Sequence, residues 1–178
     1  MSINNQYAPT YDPIAVQPLR NELTDVGFSE VLTVEDFESV VNQNNDETVF
    51  LFINSVCGCS AGTARPGATL ALQGEVIPNK LVTAFAGQEK EVIQHIREKY
   101  LNEFSPCSPC MAMFRNGKLE FYLPRFEIEK KRAEDIAEIL TGLFKERCSN
   151  NGPSIPSEDF EKLKYKRMCG SKIEMNNN

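Results

Sequence analysis

The chain has no tryptophan and, among 178 residues, a single histidine, His95. One histidine removes most hydrolytic schemes, because a cysteine or serine nucleophile in those enzymes takes its base from an imidazole. His95 lies in Val92-Ile93-Gln94-His95-Ile96-Arg97, a charged stretch with helical spacing, and reads as a helix-surface residue. No segment has the glycine spacing of a phosphate-cradling loop, so nucleotide chemistry starts weak. No apolar run approaches the roughly 20 residues of a membrane helix, and Met1-Ser2-Ile3-Asn4-Asn5-Gln6 lacks the basic-then-apolar order of a secretion signal. Nor is there a basic excess. With 19 Lys and Arg against 25 Asp and Glu the net charge is −6, which disfavours nucleic acid and anionic membranes as partners. The expectation is a cytoplasmic protein, and its six cysteines become the informative residues. In a reducing compartment cysteines are more often catalytic, redox-active or metal-binding than structural cross-links.

What is present has an alternating order. Residues 1–12 are polar and without period, a flexible or draped terminus. From Pro13 the spacing of Ile14, Val16, Leu19, Leu23 and Val26 predicts a helix that tolerates Pro18 in its first turns and stops at Gly27. Thr33 and Asp36 resemble a capping box opening a second helix, with Phe37, Val40 and Val41 on its buried face. Thr48 to Ile53 then reads as a strand buried on both sides. A helix from Cys59 to about Gln73, kinked at Pro66, leads to a second buried strand at Leu81, Val82, Ala84 and Phe85. An amphipathic helix spans Gln88 to Tyr100. Met111 to Arg115 and Lys118 to Leu123 form a hairpin about Asn116-Gly117, and a last helix runs from about Lys131 to Arg147. The order helix, helix, β-α-β-α-β-β-α predicts an α/β, thioredoxin-like domain over 13–148. It has a mixed sheet of about four strands and extra amino-terminal helices. Residues 149–178, with Ser157 to Met168 as a charged helix candidate, read as a linker and tail outside the core.

The stretch Phe50-Leu51-Phe52-Ile53-Asn54-Ser55-Val56-Cys57-Gly58-Cys59-Ser60-Ala61-Gly62 is the centre of the chain. An apolar strand ends in a polar turn, two cysteines bracket a glycine, and a small-residue segment opens a helix. The carboxyl end of such a strand is where open α/β sheets carry their sites, and unpaired N–H groups there favour a thiolate. Thiol chemistry at Cys57 is the first expectation, against a buried structural thiol as the alternative.

These residues resemble the bacilliredoxins, thioredoxin-like bacterial proteins. The matching positions are Asn54-Ser55-Val56-Cys57-Gly58-Cys59, Ala61-Gly62, Ala64-Arg65-Pro66, Phe85-Ala86-Gly87-Gln88, Ser108-Pro109, Met111-Ala112, Pro124-Arg125 and Glu127-Ile128-Glu129. Upstream, Pro18-Leu19-Arg20-Asn21-Glu22-Leu23-Thr24 and Gly27-Phe28 extend the match, which covers about Val16 to Cys148. The resemblance implies reduction of mixed disulfides between protein cysteines and bacillithiol, a small-thiol co-substrate, with no bound cofactor. It implies Cys57 as the attacking thiol and a cis-proline at Pro109, with Ser108 offering backbone groups to an extended client segment. Cys59 then either resolves the intermediate or modulates Cys57. A ring closed across one residue is tight even with Gly58 inside it, so such a bond should be easily reduced. Arg65 is a candidate to steady the thiolate or a carboxylate of the small thiol. Arg125 reads as a surface ion-pair residue.

Two features depart from the family pattern. Serines usually occupy the positions of Cys107 and Cys110, and the tail after Cys148 has no counterpart. If Pro109 is the cis-proline, Cys107 and Cys110 flank a loop facing Cys57 and Cys59, bringing four sulfurs into one region. Three readings follow for the extra pair: packing thiols, a second redox pair relaying oxidation, or, with Cys57 and Cys59, a four-thiolate zinc or iron-sulfur site that would make the protein a carrier. A redox-sensing adaptor is a further alternative. Cys148 and Cys169 read as incidental, with an accessory resolving or intermolecular role as the alternative.

Overall fold

The structure, a computed structural model, describes residues 5–163. In chain order it contains α1 (Pro13–Thr24), β1 (Ser29–Glu30), α2 (Val34–Val41), β2 (Thr48–Asn54), a π-helical turn (Ser60–Ala64) and α3 (Arg65–Ala71). β3 (Val76–Ile77), β4 (Lys80–Phe85), α4 (Lys90–Lys99), β5 (Cys110–Arg115) and β6 (Lys118–Leu123) follow. α5 (Arg125–Ile128), α6 (Ala133–Arg147), β7 (Asn150–Asn151) and α7 (Ser157–Leu163) complete it. The main sheet has the order β1-β4-β2-β5-β6. β1 and β2 flank β4 in parallel, whereas β5 runs antiparallel to β2 and β6 antiparallel to β5. This is the expected thioredoxin-like arrangement, with five strands rather than four. The additional strand, β1, is two residues long and too short to carry a period of its own.

β2 occupies the middle of the sheet, and all seven of its residues are buried. Its side chains alternate between two cores, as the strand period of two demands. Phe50 and Phe52 join Met111 and Met113 under α3 and α6, while Val49, Leu51 and Ile53 join Cys110, Ala112 and Phe114 under α2 and α4. The Thr33–Asp36 capping box is formed at the start of α2. The hairpin turns through Asn116 and Gly117, both at positive φ, as a two-residue loop of this sequence requires.

Two expectations are corrected. The helix from Cys59 to Gln73 is not one kinked α-helix. Its first turn is widened, Arg65 N–H donating to the carbonyl of Ser60 five residues back, and regular α-helix begins only at Arg65. Pro66 has no N–H and its ring crowds the carbonyl four residues earlier, so the wide turn absorbs the misfit ahead of it. One turn on, a Cβ at Gly67 would fall 2.6 Å from Ile136 Cβ. Glycine there lets α3 lie directly on α6.

The second correction concerns the tail. Residues expected to stand outside the core return to it: β7 pairs antiparallel with β3, and Ser154 N–H donates to Leu72 O at 2.9 Å. Phe160 of α7 is 4% exposed, inside the core beneath α3 and α6, with Ile155 and Leu163 packed against it. The charged composition around Phe160 concealed one apolar anchor. The rest of the helix candidate, and Cys169, lie outside the described residues. The amino-terminal segment is draped over the sheet end, where Thr10 N–H donates to Gly87 O at 2.7 Å and Tyr11 exchanges hydrogen bonds with the Gln88 amide.

Candidate active site at the end of the central strand

β2 delivers the chain to Asn54, whose carbonyl accepts from Ala86 N–H at 2.8 Å, tying the strand end to the end of β4. Beyond it the backbone bends so that Ser60 and Ala61 N–H donate to Cys57 O, at 3.0 and 3.2 Å. Cys57 and Cys59 are joined in a disulfide with their Cα atoms 5.5 Å apart, well inside the usual span for such a bond. An extended Cys-x-Cys would not bring them so close. Both cysteines are partly exposed, with the exposed Gly58 between them.

Hydrogen bonds of this turn converge on Cys57. Its sulfur accepts from Ser55 Oγ and from Ser60 N–H, each at 3.4 Å. Donors of this kind stabilise negative charge on sulfur. Beneath lies a buried polar hub. Asn54 Oδ1 accepts from Ser55 N–H at 2.9 Å, Ser60 Oγ–H at 3.1 Å and Arg65 Nη1 at 3.0 Å, while its amide donates to Leu19 O at 3.1 Å. Arg65 is fully buried. Its Nη1 also donates to Ser55 O and Ser60 Oγ, both at 2.9 Å, and its Nε to Glu22 of α1 at 2.8 Å. Arg65 therefore does not reach a small-thiol substrate. It fixes both ends of the cysteine turn to α1 from below, and the expectation of a substrate contact is replaced by a positioning role.

The Ser108–Pro109 peptide is cis. Ile53 at the end of β2 pairs with Cys110 at the start of β5, so the residues after Ile53 and those before Cys110 emerge at the same end of adjacent strands. Ser108 is half-buried and Pro109 buried. Arg125 reaches the carbonyl of Ser108 at 3.5 Å and pairs with Glu129 at 3.4 Å.

Cys107 and Cys110 do not combine with the first pair into a four-sulfur cluster. Cys110 points into the core under α2 and α4, and Cys107 packs at its margin with Tyr122. Among the described residues no group of three or more His, Cys, Asp or Glu is placed to hold a metal ion. The second pair has surroundings of its own. Cys107 Sγ lies 3.2 Å from Tyr122 Oη and accepts from Arg125 N–H at 3.4 Å, and its carbonyl accepts from Arg97 at 3.1 Å. The hydrogen bond from Cys110, then those from Arg125 N–H and Tyr122 and the charge of Arg97, outweigh partial burial and bring the Cys107 thiol down to about 5. The same bond to Cys107, with burial, pushes Cys110 well up, and Tyr122 is raised by burial and by the two sulfurs. Cys148 is a packing thiol, its Sγ 3.8 Å from Met113 Sδ and raised by burial.

His95 is remote from this chemistry, bonded to Glu38 at 2.6 Å alongside Lys99 and Tyr100. The residues missed in the sequence are Asn54, Ser60, Glu22 and Tyr122. Asn54 ends an otherwise apolar strand, which is the signal that could have marked it, whereas Glu22 and Tyr122 become visible only through the fold.

A mixed sheet with a redox dithiol at the carboxyl end of its central strand, and a cis-proline on the neighbouring strand, defines a thiol-disulfide oxidoreductase of thioredoxin-like build. Comparison with known proteins narrows this. Residues 11–148 match the model of the disulphide isomerase family. A bacilliredoxin of Halalkalibacterium halodurans is 44% identical over 133 residues, covering 75% of this chain and 91% of that protein. Bacilliredoxins of Geobacillus kaustophilus and Staphylococcus aureus are 43% and 41% identical, over 75% of this chain and 91% and 90% of theirs. The chain belongs to the bacilliredoxin family. Among solved structures, the oxidised thioredoxin of Plasmodium falciparum aligns with a TM-score of 0.47 at 18% identity, covering 69% of this chain and all of that one.

Proposed function

We propose that this protein reduces mixed disulfides between client-protein cysteines and bacillithiol in the cytoplasm, with Cys57 as nucleophile and Cys59 as resolving thiol. The observation that carries the assignment is the convergence of Ser55 Oγ and Ser60 N–H on Cys57 Sγ, in a dithiol turn beside the cis Ser108–Pro109 loop. The Cys57 thiolate attacks the bacillithiol sulfur of the mixed disulfide, the client sulfur leaves as thiolate and takes a proton from solvent, and bacillithiol remains on Cys57. Cys59, deprotonated, then attacks Cys57 Sγ. Bacillithiol leaves, and the product is the Cys57–Cys59 disulfide seen in the structure. A second small thiol acting on the Cys57 adduct closes the alternative cycle without Cys59. Ser108 and the buried Pro109 would border the client segment, Ser108 through its backbone.

The test uses a client protein carrying bacillithiol on one cysteine. Cys57→Ser abolishes release of the small thiol, and Cys59→Ser accumulates bacillithiol on Cys57. Full turnover by the Cys57→Ser protein overturns the assignment.

A further inference from the structure

The Cys107–Cys110 pair takes no part in the cycle just described, yet it is built as a reactive site. Cys110 is 2% exposed. Cys107 is half-buried and opens onto a groove of about 430 Å³. Phe104, Tyr122 and Phe126 give that groove apolar walls, and Phe104 packs on Tyr122 with ring centres 4.3 Å apart. Two polar groups, the Tyr122 hydroxyl and the donating Arg125 N–H, meet at Cys107 Sγ. A half-buried nucleophile in a groove, followed three residues on by a buried thiol at the start of β5, is the arrangement of an exchange site rather than of two packing residues.

We propose that Cys107 and Cys110 form a second thiol-exchange site, in which Cys107 is the entry nucleophile and Cys110 the resolving thiol for small-molecule disulfides without net negative charge. The Cys107 thiolate attacks one sulfur of R–S–S–R, giving Cys107–S–S–R and one RS⁻, which takes a proton from solvent. Cys110 loses its proton and attacks Cys107 Sγ, expelling the second RS⁻. In sum the two cysteines give up two electrons and two protons, and the small disulfide becomes two thiols. The charge preference comes from the groove, where Glu103, Glu127 and Glu129 stand against Arg125, itself paired with Glu129. A carboxylate-bearing disulfide entering there meets like charge. The low Cys107 thiol supports the same role, since the thiolate persists in mildly acidic solution.

The full-length Cys57→Ser/Cys59→Ser protein, reduced and treated with cystamine, tests this independently of the first pair. Peptide mapping is expected to show a Cys107–Cys110 disulfide, and adding Cys110→Ser is expected to leave one cysteamine on Cys107. Glutathione disulfide, whose arms are anionic, is expected to react more slowly. The groups facing Cys107 are Tyr122, Cys110, Arg97, Arg125 and the three groove glutamates. Removing the Tyr122 hydroxyl with Tyr122→Phe is expected to slow labelling about fivefold at pH 5 and not at pH 8, a pattern that a packing role for Tyr122 does not produce. Cys107 left unlabelled by cystamine while N-acetylcysteine exchanges fully overturns the proposal. Faster reaction with glutathione disulfide overturns its charge preference.

Discussion

The two cysteine pairs stand near adjacent strand ends of the same sheet, but they are held in different ways. Cys57 and Cys59 ride on a turn pinned from below by a fully buried arginine, a strand-end asparagine and a glutamate from α1. Cys107 and Cys110 have no such base. Cys110 is part of the core, and Cys107 depends on one tyrosine hydroxyl and one backbone N–H. The Cys-x-Cys turn leaves both cysteines partly exposed, which suits access by a protein client. The Cys-x-x-Cys segment, running into β5, sends its second sulfur inward and leaves one entry point. The position of the buried polar support decides which pair is presented on a rigid edge.

The largest effect that separates the pairs is expected from Cys57→Ser, which eliminates release of bacillithiol from a modified client while leaving cystamine labelling of Cys107 intact. A parallel loss at Cys107, read by peptide mapping, would show the pairs to be one unit. Arg65→Leu comes next. It removes the guanidinium shared by Glu22, Asn54, Ser55 and Ser60, and a buried ionic contact of this kind costs about 3–5 kcal/mol when one partner is lost. Urea unfolding measures that loss, and Cys57 exchange should slow while Cys107 exchange in the surviving folded fraction does not. Phe160→Ala should destabilise by a comparable or slightly smaller amount, about 3 kcal/mol, with both pairs still reactive, because its anchor lies in the core under α3 and α6. Gly67→Ala should cost about 1–3 kcal/mol by overpacking against Ile136 and, through α3, disturb only the first pair.

The smallest effect belongs to neither pair. Glu38 is partly desolvated, which would raise its carboxyl, but hydrogen bonds from His95, Lys99 and Tyr100 lower it to about 2. A carboxyl lowered in the folded state stabilises the protein fully above the ordinary carboxylate range. That contribution fades as pH falls from about 4.5 through about 2. Glu38→Gln should flatten the acid end of the stability profile by about 1 kcal/mol, with no change at either cysteine pair at neutral pH. An unchanged acid profile would contradict the role given to this network.

Much of this was legible in the chain, for reasons visible in particular residues. Phe50 to Ile53 is apolar without interruption because helices cover both faces of the central strand, so the site-bearing strand could be read directly. Asn116-Gly117 gave the hairpin, and Thr33 with Asp36 gave the start of α2. Arg65 was read wrongly as to target. A basic residue two turns past a cysteine can point to solvent or inward, and only the widened turn before Pro66 and the approach of α1 with Glu22 decide it. Phe160 was hidden because only it and Leu163 are apolar among the seven residues of α7, too few to set a period. Cys107 and Cys110 were read as flanking a loop that faces the first pair, with packing thiols among the readings, and strand parity turns Cys110 toward α2 and α4. Sequence spacing gave their proximity to each other but not the face they occupy.

The most direct measurement is the intact mass and peptide map of the fully reduced protein during exposure to bacillithiol disulfide. The account predicts an adduct that appears first on Cys57 and then gives way to the Cys57–Cys59 disulfide. Absence of any Cys57 adduct, under conditions where a simple thiol exchanges fully, would contradict it.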